Sequence, residues 1–340
     1  MVHCCRNSIR RGKNAARPRP LDSDPVVDVL YPKILAGIAR LATEDVYTVM
    51  PGPRKKQAKR RKASARSSKK QRQQPRSNIS RWDIIAPSYQ ADHVISLEDV
   101  HYGPLCAGEK ELQLLGDVEN RKVLEIGCGG GQNSFVLTQW GAHVTALEPS
   151  RGQLNEGRER GFNLIQGRAE DLSMFRKESF DLVLSSLSLD YAPDIEEVFR
   201  QVYRILLPGG SFVFSMIHPL MNFAGWYMMD DPDTHTFENY FEMRGLRHSG
   251  WDFQDGTQEE ISSYQHTLEE LFSALVDQGF SVSNILEPRP YDLELLGKEN
   301  WGQIPYFYRD FDIRSLFYQV MQTLPYTLVF QSFKQSGGQG

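Results

Sequence analysis

From about Ser80 onward, apolar residues fall into two interleaved patterns. Short continuous runs at 123–126, 144–147, 180–186 and 211–216 read as buried strands. Between them, 132–140 and 195–206 repeat at helical spacing. Strand alternating with helix predicts a parallel α/β sheet covered on both faces. A helical approach segment over 81–115, carrying Trp82, Tyr89 and Tyr102, precedes the first strand. Further on, Thr267 with Glu270 three residues later has capping-box spacing, ahead of a helix that runs to about Gln278 and stops at Gly279. The runs 280–286 and 326–333 read as the last two strands.

The turn after the first strand is Gly127-Cys128-Gly129-Gly130-Gly131, and the second strand ends in Glu148, about 20 residues on. Strand, glycine loop, helix, strand and acid open a doubly wound sheet that binds a nucleotide at its carboxyl edge. Glycines let the backbone approach a ligand closely, and a carboxylate at 148 can accept both hydroxyls of a ribose. The dinucleotide spacing G-x-G-x-x-G fails, because its third glycine position is Gln132 or, counted from Gly129, Ser134. Glu125 stands two residues before Gly127 instead, and a carboxylate there suits an ammonium or sulfonium better than a pyrophosphate.

Charge divides the chain. Over 340 residues, 39 Lys+Arg face 43 Asp+Glu for a net of -4. Residues 1–76 hold 20 of the bases and five of the acids, so this arm carries +15 and residues 77–340 carry -19. Within 54–76 there are 12 bases and no acid, a composition expected to stay disordered. Residues 33–42 could form a short amphipathic helix fenced by Pro32, Pro51 and Pro53. Three roles fit the arm: a solvated extension, a targeting sequence, or attraction to phosphate backbones or anionic membranes. No aromatic residue interleaves the basic run, so base stacking is not offered there.

The four cysteines, Cys4, Cys5, Cys106 and Cys128, are too scattered for a disulfide framework, and no Cys-x-x-Cys pair offers a metal site. A reducing, cytoplasmic compartment and no metal are the expectation. No apolar run of about 18 residues occurs, since His218, Pro219 and Asn222 interrupt the nearest approach at 211–229.

Glu125-x-Gly127-Cys128-Gly129-x-Gly131, with Glu148 closing the next strand, resembles the class I S-adenosylmethionine-dependent methyltransferases, and within them the small-molecule branch of the ubiquinone/menaquinone biosynthesis enzymes. The resemblance covers roughly 80–334. It implies a Rossmann-like, mostly parallel seven-stranded sheet with an antiparallel last strand, and S-adenosyl-L-methionine as cofactor. Domains follow: a basic arm 1–76, a methyltransferase domain 77–334 with an acceptor lid at about 218–265 and 287–325, and a flexible tail 335–340. The cofactor residues implied are Glu125, Gly127, Cys128, Gly129, Gly131, Glu148, Arg168, Ala169, Glu170, Ser185 and Ser186. Arg168 departs from the acid or Asn usual beside the adenine, leaving the backbone N–H of Ala169 and the carboxylates of Glu170 or Asp171 as substitutes.

His218, just past the fifth strand, is the first candidate for a base, followed by His266 and Tyr264. Trp226, Tyr227, Phe237, Tyr240, Phe241, Trp251 and Phe253 form an aromatic stretch suited to covering a small aromatic or apolar acceptor. Two alternatives stand beside methyl transfer to a small molecule through an O, N or C nucleophile. One is a nucleic-acid methyltransferase that uses the arm, although Ser185-Ser186-Leu187-Ser188 replaces the Asn/Asp-Pro-Pro-aromatic signature and no Pro-Cys nucleophile exists. The other is a cofactor-binding protein without catalysis.

Overall fold

The computed structural model describes residues 77–225, 240–241 and 245–336. The basic arm with its expected helix at 33–42, the aromatic residues Trp226, Tyr227 and Phe237, and the end of the tail lie outside the described residues.

In chain order the main elements are α1 (Asn78–Asp92), β1 (His93–Ile95), α2 (Glu109–Leu112), β2 (Lys122–Ile126), α3 (Gln132–Gln139), β3 (His143–Glu148), α4 (Arg151–Gly157), β4 (Asn163–Gln166), β5 (Phe180–Ser186), α5 (Ile195–Ile205) and β6 (Leu206–Ile217). After them come β7 (Gly245–Asp252), β8 (Gln258–Gln265), α6 (Leu268–Asp277), β9 (Phe280–Leu286), α7 (Leu293–Leu296), β10 (Tyr306–Tyr308), α8 (Leu316–Thr323) and β11 (Thr327–Lys334). Seven strands form one sheet in the order β4-β3-β2-β5-β6-β11-β9. The pairs among β4, β3, β2, β5 and β6 are parallel, and β11 is antiparallel to both β6 and β9. This is the doubly wound, Rossmann-like sheet that the resemblance implies.

Alternation along β2 sends Leu124 and Ile126 to one face and Val123 to the other. Both faces are sealed: Phe199, Phe212 and Phe214 pack with the first pair, and Val136, Leu137, Leu182 and Val329 with Val123. The chain winds from β2 outward to β4, then returns to place β5 on the other side of β2. A crevice therefore opens at the carboxyl ends of β2 and β5, where ligands bind in open sheets of this kind.

Two expectations change. The approach segment is not one helix: α1 stops at Asp92, β1 pairs antiparallel with β10, and α2 is a single turn ended by Gln113 at φ 52°. Extended β1 and the Gly103-Pro104 and Gly108 breaks leave no room for a continuous helix. The turn expected at 207–210 lies inside the 12-residue β6, as an irregularity facing the step between Phe180 and Leu182, which accommodates Pro208. Residues 287–325 pack Trp301, Ile304 and Tyr318 in one core with Leu105, Met221 and Tyr326.

In the first part of the expected lid, 245–265 forms a hairpin of β7 and β8 that closes onto α1. Asn78 donates its amide to the Ser262 carbonyl at 2.9 Å and accepts the Ser262 N–H at 2.9 Å. Ser88 donates to Asp255 at 2.7 Å. The capping box is formed as expected, with Thr267 and Glu270 bonding reciprocally. Among the described residues no helix is long and apolar enough to cross a membrane, and no group of His, Cys, Asp or Glu is placed to hold a metal ion.

Candidate functional site

At the crevice the chain turns sharply out of β2. Gly127 has φ +67°, and a Cβ there would overlap the side chain of Ser188. Gly131 has φ +75° as it enters α3, and a Cβ would overlap the Phe162 ring. Only glycine meets both demands, a left-handed backbone and a close neighbour. Ser188 in turn donates to the Ile126 carbonyl at 3.0 Å, fixing the loop after β5 against the end of β2.

Glu148 ends β3 with its side chain turned under this loop. One carboxylate oxygen accepts the Gly129 N–H at 3.0 Å and the other the Ser150 N–H at 2.8 Å. Glu125 is buried beneath and accepts the hydroxyl of Ser134. Burial pushes both carboxyls up to about 7, against the hydrogen bonds that favour their ionised forms.

α1 lies across the loop. Asp83 accepts the Ser150 hydroxyl at 2.8 Å and the Gly152 N–H at 2.9 Å. Gln90 donates to Gln153 at 2.9 Å and accepts from Gln132 at 2.6 Å, beside Gly130, where an added Cβ would strike its amide. The first helix is thereby tied to the segments that follow β2 and β3.

These elements enclose a cavity of about 390 Å³. Of the residues expected from sequence, Glu125, Gly127, Cys128, Gly129, Glu148, Arg168, Ala169, Glu170, Ser186 and Tyr264 line it. Gly131, Ser185, His218 and His266 do not. Gly131 sits behind the wall at the start of α3. Ser185 is fully buried and bonds Ser188 at 2.6 Å. Arg168, half exposed, turns to Glu170 with N···O 3.2 Å.

The two histidines have other surroundings. His218 Nδ1 accepts the Leu220 N–H at 3.0 Å, which leaves Nε2 protonated to donate to Glu287 at 2.9 Å. Burial lowers its pKa and the Glu287 carboxylate opposes this. His266 precedes the capped helix α6, with Nε2 buried and unpartnered, and burial lowers its pKa too. The structure thus moves the cavity's imidazole from the expected positions to His101.

His101 was not legible in sequence. It lies in an irregular stretch where no periodicity marks a wall, and long-range bonds hold it. Its N–H donates to Asn133 at 2.9 Å, and its carbonyl accepts from Asn133 at 3.2 Å and from Ser186 at 2.9 Å. Nδ1 is buried without a partner, and burial pushes the imidazole down to about 4. Around it stand aromatic rings: Tyr306 at 5.0 Å edge-on, and Tyr89, whose hydroxyl lies 3.1 Å from that of Tyr306. Trp82 meets Tyr89, Tyr191 and Trp251 edge to face at 5.5, 5.1 and 5.5 Å. Trp82 and Tyr89 stand seven apart on one face of α1, a spacing that could have marked them.

The site therefore joins a glycine cradle and carboxylates to an aromatic wall of neutral polar groups. Residues 124–214 match the family model for a methyltransferase domain. An uncharacterized methyltransferase of Bacillus subtilis is 27% identical over 192 residues, 51% of this chain and 70% of that protein. A ubiquinone biosynthesis O-methyltransferase of Pseudomonas fluorescens is 35% identical over 108 residues, 30% of this chain and 47% of that protein, so the chain spans about half the length of this relative. A Listeria monocytogenes protein solved as an S-adenosylmethionine-dependent methyltransferase shares the fold, with TM-score 0.50 and 24% identity over 66% of this chain and 95% of that one.

Proposed function

We propose that this chain, whose residues 124–214 match the methyltransferase-domain model, acts as an S-adenosylmethionine-dependent methyltransferase and transfers a methyl group to a small, uncharged, aromatic or apolar acceptor. The observation that carries this reading is the single cavity in which the glycine loop and Glu148 share a wall with Trp82, Tyr89, His101, Tyr191, Tyr264 and Tyr306.

The residues present fit S-adenosylmethionine. At Gly129, φ +53°, an added Cβ would have only the Gln153 amide oxygen within 4 Å, so the loop keeps open space there, and each oxygen of Glu148 retains accepting capacity beside its one backbone bond. In the proposed arrangement Glu148 holds the ribose hydroxyls, the Ala169 N–H meets the adenine, and the glycine loop with Glu125 receives the amino-acid end. When bound, the cofactor supplies an electrophilic methyl group on a sulfonium. The chain's own task is then to align the acceptor for in-line displacement and to keep water out, which the aromatic wall suits.

Charge supports a neutral small acceptor over a polynucleotide. Among the described residues lining the cavity, Arg168 is the one guanidinium or ammonium group, and Glu170 pairs with it. A phosphate chain needs several free cations along its path. The test is calorimetric titration with S-adenosylhomocysteine, followed by mass spectrometry of products from a panel of phenols, amines and oligonucleotides. Binding with methylation of a small neutral compound is expected. Methylation of oligonucleotides alone would replace the reading, and no binding would remove it.

A further inference from the structure

We propose that His101 is the catalytic residue that orients an acceptor bearing a phenolic hydroxyl and takes up its proton, so that the methyl group is placed on oxygen. The proposal rests on the methyl-transfer reading above.

The first ground is the state of the side chain. His101 is 9% exposed, and among the described residues neither ring nitrogen has a hydrogen-bond partner, although both backbone groups do. An unsatisfied buried polar group is destabilising, and, unlike that of His266, this one belongs to a ring that lines the cavity. Nδ1 is sealed from solvent, which leaves Nε2 as the nitrogen that can meet a ligand in the cavity. Burial also keeps the ring neutral at physiological pH, so it can accept a hydrogen bond.

The second ground is position. Asn133, next to the glycine loop, and Ser186, the last residue of β5, both bond the His101 backbone and are bonded to each other at 3.1 Å. The ring is thus fixed relative to the cradle on one side and to the end of the sheet on the other. Tyr306 packs its ring against the imidazole, so a flat acceptor seated among Tyr89, Tyr191 and Trp82 would stand beside it.

The third ground is elimination among the other groups of the cavity. Glu125 accepts the Ser134 hydroxyl, and the remaining accepting capacity of Glu148 is assigned above to the ribose. The hydroxyls of Tyr89 and Tyr306 bond each other. Arg168 is paired with Glu170, so an anionic acceptor such as a carboxylate has to compete with that partner for the one cation of the lining. A neutral hydroxyl, which needs one acceptor for its proton, matches His101 Nε2, with the Tyr191 and Tyr264 side chains also lining the cavity.

Atoms balance as follows. The phenolic oxygen uses its lone pair to bond the methyl carbon, and the electron pair of the broken sulfur–carbon bond stays on the cofactor sulfur. The hydroxyl proton passes to His101 Nε2 and goes to water when the ether product leaves.

The experiment uses the full chain saturated with S-adenosylhomocysteine and titrates phenol, with benzoate as the anionic comparison, against wild type, His101→Phe and His101→Gln. We expect phenol to bind wild type, benzoate to bind roughly tenfold more weakly, and His101→Phe to weaken phenol roughly tenfold with the S-adenosylhomocysteine affinity unchanged. His101→Gln, whose amide oxygen accepts, should recover part of the loss. Failure of phenol to bind wild type, equal binding by His101→Phe, or benzoate binding as well as phenol would each overturn the proposal. If His101→Phe does not fold, His101→Gln decides by the same criteria, an affinity equal to that of a cavity without an accepting group being the negative result. Failure of S-adenosylhomocysteine to bind wild type is a separate outcome that strikes the methyl-transfer reading itself.

Discussion

Glu148 and Gly129, 19 residues apart, are joined by a 3.0 Å hydrogen bond from the loop N–H to the carboxylate. The acid that closes β3 therefore also holds the shape of the loop that opens α3, and under the proposed function the same side chain would hold the ribose. Glu148→Gln replaces one accepting oxygen by an amide donor. A charge-assisted bond contributes about 1.5–3 kcal/mol, so S-adenosylhomocysteine affinity should fall roughly 10- to 100-fold by calorimetry. An unchanged affinity would remove the ribose from Glu148.

Glu125 and Glu148 titrate near 7 in the folded chain against an ordinary 4.5. A carboxyl raised on folding binds its proton more tightly in the native state, so its contribution to stability is present below 4.5 and lost as pH rises through 7. The Tm of the cofactor-free protein should fall between about pH 5 and pH 8. Glu125→Gln keeps an acceptor for Ser134 and should flatten part of that fall, by on the order of a few kcal/mol at most. If Glu148 holds the ribose as proposed, cofactor affinity should move the opposite way, rising with pH as this carboxylate ionises.

Gly127 and Ser188 should be coupled. Gly127→Ala places a Cβ against Ser188 and strains a left-handed residue, costing roughly 1–2 kcal/mol from backbone alone. Adding Ser188→Gly removes the obstructing side chain, so thermal unfolding of the double variant should show partial recovery over Gly127→Ala. Additive losses would mean that the two positions do not meet.

Asp83 ties α1 to the start of α4 through Ser150 and Gly152. Asp83→Ala leaves a backbone N–H and a hydroxyl without their acceptor, at a cost of about 1–3 kcal/mol. If α1 retains the cofactor, stopped-flow measurement should show faster S-adenosylhomocysteine release in this variant, roughly tenfold. A lower Tm with an unchanged release rate would reduce Asp83 to a structural tie.

The sequence by itself determined the sheet and the cradle, because both are written in local chemistry. Buried strands need continuous apolar runs, and the left-handed backbone at 127 and 131 favours glycine. The capping box at Thr267 is likewise contained within four residues. Tertiary structure alone decided which groups share the cavity. His218 has a local partner in Leu220 and a distant one in Glu287, and neither can be read from its place after a strand. His101 reaches the cavity through Asn133 and Ser186, 32 and 85 residues away, and Tyr306 arrives from 205 residues away. Periodicity reports which face of an element is buried, whereas the meeting of faces from α1, β5, β8 and β10 is set by packing across the whole body.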